Sequence, residues 1–77
     1  MTKRLPAVKP RQVIRALEKA GFAITRTKGS HYRLVHRDDP SRRTTVAMHA
    51  SKDVPRGTLH DIIEQAGLSP EEFLALL

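Results

Sequence analysis

The residues of this chain best suited to chemistry lie in one short run, Lys28-Gly29-Ser30-His31-Tyr32. The run places a turn glycine and a histidine at the start of an alternating segment, with basic residues nearby. An unperturbed histidine has a pKa of about 6.5, so such a side chain can accept or release a proton near neutral pH. Cations beside it attract the phosphates of a nucleic acid. This combination points to acid–base cleavage of a phosphodiester in RNA.

RNA suits such a site because it carries an internal nucleophile, the 2′-OH beside each phosphodiester. Neutral imidazole at His31 could act as a general base toward this hydroxyl, giving a 2′,3′-cyclic phosphate and a 5′-OH end without a metal. His49 is the candidate for a second proton carrier, because it ends a neighbouring strand with the same outward parity. We expect four residues to bind the phosphate as its charge develops, through side chains or backbone amides: Lys28, Gly29, Ser30 and Arg33.

The chain is strongly basic, and its charge is unevenly distributed. It has 77 residues, with 14 Lys+Arg, 8 Asp+Glu and a net charge of +6. All 14 basic residues lie within residues 1–56, whereas residues 57–77 contain four acids and no Lys or Arg. A basic body with an acidic end is typical of a domain that binds a polyanion on one face. Small domains can also be basic for solubility alone, so charge favours a nucleic acid only modestly.

Composition excludes several classes of protein. The chain has no cysteine, which rules out a disulfide framework and a thiolate metal site. Its four histidines do not follow a recognised ligand spacing, and we expect neither a metal nor another cofactor. No apolar run approaches the roughly 20 residues that cross a bilayer, and none resembles a signal peptide. We therefore expect a cytoplasmic protein that does not contact membranes. Direct DNA binding is not expected, since no helix-turn-helix pair is apparent.

Apolar residues at helical spacing predict two longer helices, over residues 10–20 and 59–66. Proline opens the first helix, and a glycine follows each of the two. The run Ser69-Pro70-Glu71-Glu72 has capping-box spacing and predicts a short third helix. We also expect Thr58 and Asp61 to form a local cap where the second helix begins.

Alternating segments predict three strands, over residues 22–27, 31–36 and 43–49. In the second strand, Tyr32 and Leu34 share one face. If these two pack inward, His31 and Arg33 must point outward together. Short turns make consecutive strands antiparallel, because parallel neighbours need a long crossover.

The predicted fold is therefore α+β, with a three-stranded antiparallel sheet that carries both long helices on one face. The order α-β-β-β-α is that of a double-stranded-RNA-binding domain. We assign residues 10–77 to this domain. Residues 1–9 are expected to form an N-terminal arm that is mobile or docks loosely, since they include Pro6 and few apolar positions.

Short motifs follow one another along residues 8–77. They are Leu17-Glu18-Lys19-Ala20-Gly21-Phe22, Lys28-Gly29-Ser30-His31, His49, Pro55-Arg56-Gly57-Thr58-Leu59 and Ile62-Ile63-Glu64-Gln65-Ala66-Gly67. In their order and spacing the chain resembles HicA toxins, the messenger-RNA-cleaving members of HicA–HicB toxin–antitoxin pairs. The resemblance extends over nearly the whole chain, without departure at Gly-Ser-His.

This resemblance implies a metal-independent endoribonuclease, an mRNA interferase, with His31 as its essential residue. It also implies a compact HicB-like antitoxin that covers the site, and messenger RNA in the cytoplasm as the substrate. Two other functions stay open on the residues alone: a non-catalytic RNA-binding module, and a protein-interaction module of the same fold. If the chain is an endoribonuclease, changing His31 to alanine should abolish cleavage, whereas the same variant of a binding module would behave like the wild type.

Overall fold

A computed structural model of the protein describes residues 5–49 and 52–77. Along the chain it contains a helix, three strands and two further helices: α1 (Pro10–Lys19), β1 (Phe22–Lys28), β2 (His31–His36), β3 (Arg43–Ala47), α2 (Arg56–Gln65) and α3 (Pro70–Leu76). The predicted α+β class and its α-β-β-β-α order, with a short last helix, are confirmed. None of the helices in these two ranges combines the length and apolar character needed to span a bilayer.

The three strands form one antiparallel sheet in the order β1-β2-β3. The strand β2 is central and pairs along its length with both neighbours. Its pairing with β1 changes register by one residue between Ile24 and Arg26, which marks a β-bulge. The strand β3 ends at Ala47, two residues before the predicted end at His49.

The core lies between one face of the sheet and the helices. Both long helices contact the sheet, α1 through β1 and β3 and α2 through β3, while α3 packs on the two helices. The first helix buries the stripe predicted from its sequence, and the sheet contributes one apolar side chain from each strand. The fully buried side chains that form this centre include Val13, Leu17, Phe22, Leu34, Val46, Leu59 and Phe73. Because all the described helices lie on this side, the other face of the sheet is free to meet a ligand.

The described part of the N-terminal segment packs on the core. Leu5 and Val8 are only 3% and 2% exposed, and the Val8 carbonyl accepts a hydrogen bond from the Val54 N–H at 2.8 Å. The Lys9 ammonium forms a salt bridge of 2.9 Å with Asp53. Residues 5–9 are therefore not loosely docked, because two of them complete the apolar core. Residues 1–4 of the predicted arm lie outside the described residues, and the division of the chain at residue 9 stays a prediction.

The starts of the last two helices differ in how well the sequence predicts them. The Ser69 Oγ accepts from the Glu72 N–H at 3.1 Å, and the Glu72 carboxylate accepts from the Ser69 N–H at 2.8 Å. This reciprocal pair confirms the capping box of α3. The helix α2 instead has Pro55 at its N-cap position and no side-chain cap. The predicted cap by Thr58 and Asp61 is wrong, because the helix begins at Arg56 and Thr58 already lies within it.

Candidate nucleic-acid interface

The β1–β2 turn positions the histidine of the Gly-Ser-His motif. Lys28 pairs with His31, which leaves Gly29 and Ser30 as a two-residue loop. Gly29 has a φ of 58°, a left-handed conformation that glycine adopts without strain, and glycine at the first loop position fits a type II′ turn. Neither loop N–H donates to another residue in the described ranges, whereas the Ser30 carbonyl accepts from the Met48 N–H at 2.6 Å. The turn therefore leaves two amide donors for a ligand.

The strand register arranges the outer face of the sheet, which is the face without helices, into rows of side chains. Directly paired residues share a face and lie side by side. Successive rows are about 6.7 Å apart, because they are two residues apart along a strand. The rows are Lys28–His31–Ala47 (the His31 row), Arg26–Arg33–Thr45 (the Arg33 row) and Ala23–Val35–Arg43 (the Val35 row).

The orientation of β2 agrees with the sequence prediction. Leu34 is fully buried and Tyr32 is half-buried against the core, whereas His31 and Arg33 are both exposed. The predicted outward pairing of His31 and Arg33 is thus confirmed. Its cause is the strict alternation of side chains along a strand that has one buried face.

A cleft of about 230 Å³ opens at His31 on the outer face, lined by Arg26, Lys28, His31, Arg33 and Thr45. We call it the His31 cleft. It brings together three of the residues singled out from the sequence, Lys28, His31 and Arg33. The other two candidates, Gly29 and Ser30, form the turn at the end of the His31 row. Arg26 and Thr45 are additions that the sequence analysis missed.

Arg26 reaches the cleft because of the β-bulge. Ile24 pairs with Leu34, but Arg26 pairs with Arg33, so two residues of β1 stand opposite one residue of β2. Without the inserted residue, simple alternation would place Arg26 on the same face as Ile24 and Phe22, toward the helices. The bulge reverses that phase and turns Arg26 to the outer face. The Thr25 Oγ1 contacts the Arg33 carbonyl at 3.5 Å at this point of the sheet.

All the charged side chains that the strands place on the outer face are basic. The three strands contain Arg26, Lys28, Arg33 and Arg43 but no Asp or Glu. None of these four side chains has a hydrogen bond or an ion pair with another described residue. By contrast, Arg42 donates to the Ala66 carbonyl at 2.8 Å and lies over the Phe22 ring, 5.6 Å from its centroid. The cations of the outer face are therefore available for an external anion.

His49 lies apart from the His31 cleft. The chain leaves the sheet after Ala47, so the strand parity that suggested an outward His49 beside His31 does not extend that far. Its exposed side chain lines a separate depression together with Pro10, Val46 and Ile62, residues of the core side. The structure thus removes the geometric argument for His49 as a second proton carrier, although its chemical role stays a prediction.

His36 has a structural role. The Asp38 N–H donates to its Nδ1 at 3.1 Å, so the ring proton is on Nε2, which donates to the Ala20 carbonyl at 3.1 Å. The ring also packs edge-on against Phe22, with centroids 5.1 Å apart. His60 is exposed on α2, on the helix side of the molecule.

Two carboxyl groups have clearly shifted pKa values, and both belong to local structure outside the cleft. Hydrogen bonds from Ser41 hold the pKa of Asp39 below its ordinary value in the β2–β3 loop, with a smaller contribution from the Arg42 charge. Hydrogen bonds from the Ser69 backbone and side chain likewise lower the pKa of Glu72 at the start of α3. The hydrogen bonds that cause these shifts belong to a loop and a helix cap, respectively. Within residues 5–49 and 52–77, no cluster of three or more His, Asp or Glu could hold a metal ion.

The fold and this face together define a small α+β domain of the double-stranded-RNA-binding type, with an exposed histidine in a cleft lined by cations. A family model described as "HicA toxin of bacterial toxin-antitoxin" matches residues 10–68. The chain therefore belongs to the HicA toxin family. Membership makes it a toxin of a toxin–antitoxin system, and implies a cognate antitoxin as its partner. Among curated proteins, no sequence matches the chain.

Proposed function

We propose that this toxin is a metal-independent endoribonuclease that cleaves messenger RNA in the cytoplasm at the His31 cleft. The observation that carries the proposal is the position of His31 on the open face of the sheet, among Arg26, Lys28 and Arg33 and next to two available backbone amides. A proton carrier is thus placed where a phosphodiester would bind. The family match supports the role of toxin, and the cleft supports this particular chemistry.

The first step is an attack within the RNA itself. A neutral imidazole nitrogen of His31 accepts the proton of the 2′-OH, and the 2′-oxygen forms a new bond to the adjacent phosphorus. General-base assistance of this kind typically contributes about 10²–10⁴-fold to the rate. Cleavage of the bond from phosphorus to the 5′-oxygen then gives a 2′,3′-cyclic phosphate, and the departing oxygen takes up a proton to become a 5′-OH.

Charge on the phosphate oxygens increases during the attack. The Arg33 and Lys28 side chains flank His31 in the rows of the sheet, and the Gly29 and Ser30 amides lie at the adjoining turn. Donors fixed before the reaction stabilise developing charge most effectively, because they do not need to reorient. Arg26 adds a further cation to this group. With His49 outside the cleft, the proton for the 5′-oxygen comes from water or from the His31 imidazolium, and we expect slow turnover.

We further propose that the cognate antitoxin inhibits the toxin by covering this cleft. The outer face of the sheet has four basic side chains and no acid, so an acidic antitoxin segment would complement it. Covering it would exclude RNA without any change in the toxin fold.

The test is cleavage of an end-labelled RNA in the presence of EDTA. The wild type should produce fragments that end in 2′,3′-cyclic phosphate, and His31→Ala should produce none. His60→Ala is the matched control, because it removes an exposed histidine on the helix side and should cleave at the wild-type rate.

The outcomes separate the candidate functions. If the wild type and His31→Ala bind RNA equally and neither cleaves it, the chain is a non-catalytic RNA-binding module. Cleavage that stops on addition of EDTA would exclude the metal-independent mechanism. Cleavage by His31→Ala at the wild-type rate would exclude His31 as the base.

A further inference from the structure

A second, larger depression adjoins the His31 cleft and reaches around the β3 edge of the sheet toward α2. Its volume is about 520 Å³, and it is lined by Arg33, Arg43, Thr44, Thr45 and Gln65. Arg33 and Thr45 line both depressions, so the two form one continuous surface with the Arg33 row at their boundary. A ligand held in the His31 cleft can therefore extend over the β3 edge of the sheet into this second space, which Thr44 and Gln65 line on the helix side.

The register gives the scale of this surface. Arg43 belongs to the Val35 row, one row beyond Arg33 and two rows beyond His31. At about 6.7 Å per row, Arg43 lies about 13 Å along the strand direction from the His31 row. A single-stranded chain running along β2 would meet a cation in each row it crosses: Lys28, then Arg26 and Arg33, then Arg43.

The chemistry of the second depression is polar and cationic. The Arg43 guanidinium has no hydrogen bond or ion pair with another described residue, so its full set of donors is available. Thr44 is only 4% exposed, and its hydroxyl donates to the Gln65 Oε1 at 2.7 Å. This bond fixes the exposed Gln65 amide and leaves its Nε2 donors without a partner in the described chain. The site thus offers an arginine for a phosphate beside an oriented amide that can donate to the polar edge of a base.

Aromatic stacking does not contribute to this surface. The three aromatic residues of the chain are Phe22, Tyr32 and Phe73. The two phenylalanines are buried in the core, and Tyr32 packs against it on the inner side of the sheet. Recognition here must therefore depend on phosphate charge and hydrogen bonds rather than on a stacking platform.

We propose that this depression, which we call the Arg43 subsite, binds a nucleotide of a single-stranded RNA that lies beyond the two nucleotides joined by the scissile phosphodiester. Arg43 binds its phosphate and Gln65 contacts its base. A single strand is favoured because in-line attack by a 2′-OH requires a backbone that can leave the regular helical geometry. The inference rests on the proposed nuclease function, whose scissile phosphate occupies the His31 cleft.

The experiment compares substrates of two lengths. A dinucleotide with one phosphodiester occupies only the His31 cleft, whereas a hexanucleotide also reaches the Arg43 subsite. For Arg43→Ala, the ratio of kcat/KM on the hexanucleotide to kcat/KM on the dinucleotide should fall about eightfold at 50 mM salt and about threefold at 200 mM. These values are the contribution of one phosphate contact to single-strand affinity, relative to 1 M salt.

Two further variants isolate the role of Arg43. Arg43→Lys keeps the charge and should recover most of the ratio, while Arg15→Ala removes an exposed arginine from α1 on the helix side and should match the wild type. Hexanucleotide affinity is also measured by fluorescence anisotropy on a His31→Ala background, where cleavage cannot interfere. A thermal melt of Arg43→Ala confirms that the variant is folded.

The results distinguish failure of the subsite from failure of the nuclease function. If the wild type cleaves both substrates and Arg43→Ala leaves the ratio unchanged, the subsite is refuted and the nuclease function stands. If RNA binds without being cleaved, the nuclease function fails, while an eightfold loss of affinity in Arg43→Ala still supports nucleotide binding at the subsite. If Arg43→Ala weakens only the complex with the antitoxin, the surface belongs to that protein and the proposal is wrong. Absence of RNA binding would overturn both proposals.

Discussion

The salt dependence of RNA binding tests the outer face of the sheet most directly. Four basic side chains lie on this face, Arg26, Lys28, Arg33 and Arg43, and the strands carry no acid. If each neutralises one phosphate of a single-stranded RNA, log Kd should rise with log salt by about 0.7 per contact, or about 2.8 for four contacts. Raising the salt from about 50 to about 200 mM should therefore weaken binding about 50-fold.

Arg26→Ala tests both this count of contacts and the β-bulge. Removal of one contact should lower the slope to about 2.1, so that the same rise in salt weakens binding only about 20-fold. Arg15→Ala removes an equal charge from α1, in the helix layer. It should keep the slope of log Kd against log salt near the value of about 2.8 expected for four contacts. The pair separates position on the sheet from net charge, because both variants lose one positive charge.

Binding is measured by fluorescence anisotropy of a short labelled RNA, with His31→Ala as the common background and salt varied in steps. An unchanged slope for Arg26→Ala would mean that this side chain meets no phosphate, and would refute the proposed contact between Arg26 and RNA. Equal reductions in Arg26→Ala and Arg15→Ala would show that overall charge determines binding and that the sheet face has no special role.

Further predictions concern the stability of the fold and the shape of the turn. His36→Ala should lower the free energy of unfolding by about 1–3 kcal/mol, because it removes two hydrogen bonds. His31→Ala removes an exposed histidine and should leave the melting temperature unchanged. Equal melting temperatures of the two variants would contradict a structural role for His36. Gly29→Asn adds a side chain at a positive φ that asparagine adopts more readily than most other residues. It should lower kcat/KM about 100-fold if a phosphate approaches this backbone closely, and wild-type activity would argue against that approach. The hydrogen bonds of the α3 cap hold the pKa of Glu72 below its ordinary value of 4.5. The ionised carboxylate therefore contributes its full stabilisation above pH 4.5, and this stabilisation is lost as the pH falls through the lowered pKa. Melting temperatures of Glu72→Gln should therefore fall less in acid than those of the wild type or of the control Glu71→Gln, and identical profiles would exclude the cap as the cause.

The sequence predicts the central strand of the site because apolar residues mark its inner face. Tyr32 and Leu34 alternate with His31 and Arg33, and that pattern alone determines that the histidine and an arginine point outward together. The position of His49 could not be found in the same way. Strand parity is informative only while the chain remains paired with a neighbouring strand. The residues that follow Met48 do not continue an apolar alternation from which the end of the pairing could be found.

The sequence does contain a signal for the outward position of Arg26, although the alternation of apolar residues alone does not reveal it. The two-residue turn pairs Lys28 with His31, and counting back along the strands from that pair places Arg26 opposite Arg33. The apolar pattern requires a different register, in which Ile24 stands opposite Leu34 on the inner face. The two registers differ by one residue, so a bulge between Ile24 and Arg26 is the simplest way to satisfy both. The first half of β1 can then keep Phe22 in the core, while the second half turns its cations toward His31. A single inserted residue thus allows one strand to serve both the core and the cleft.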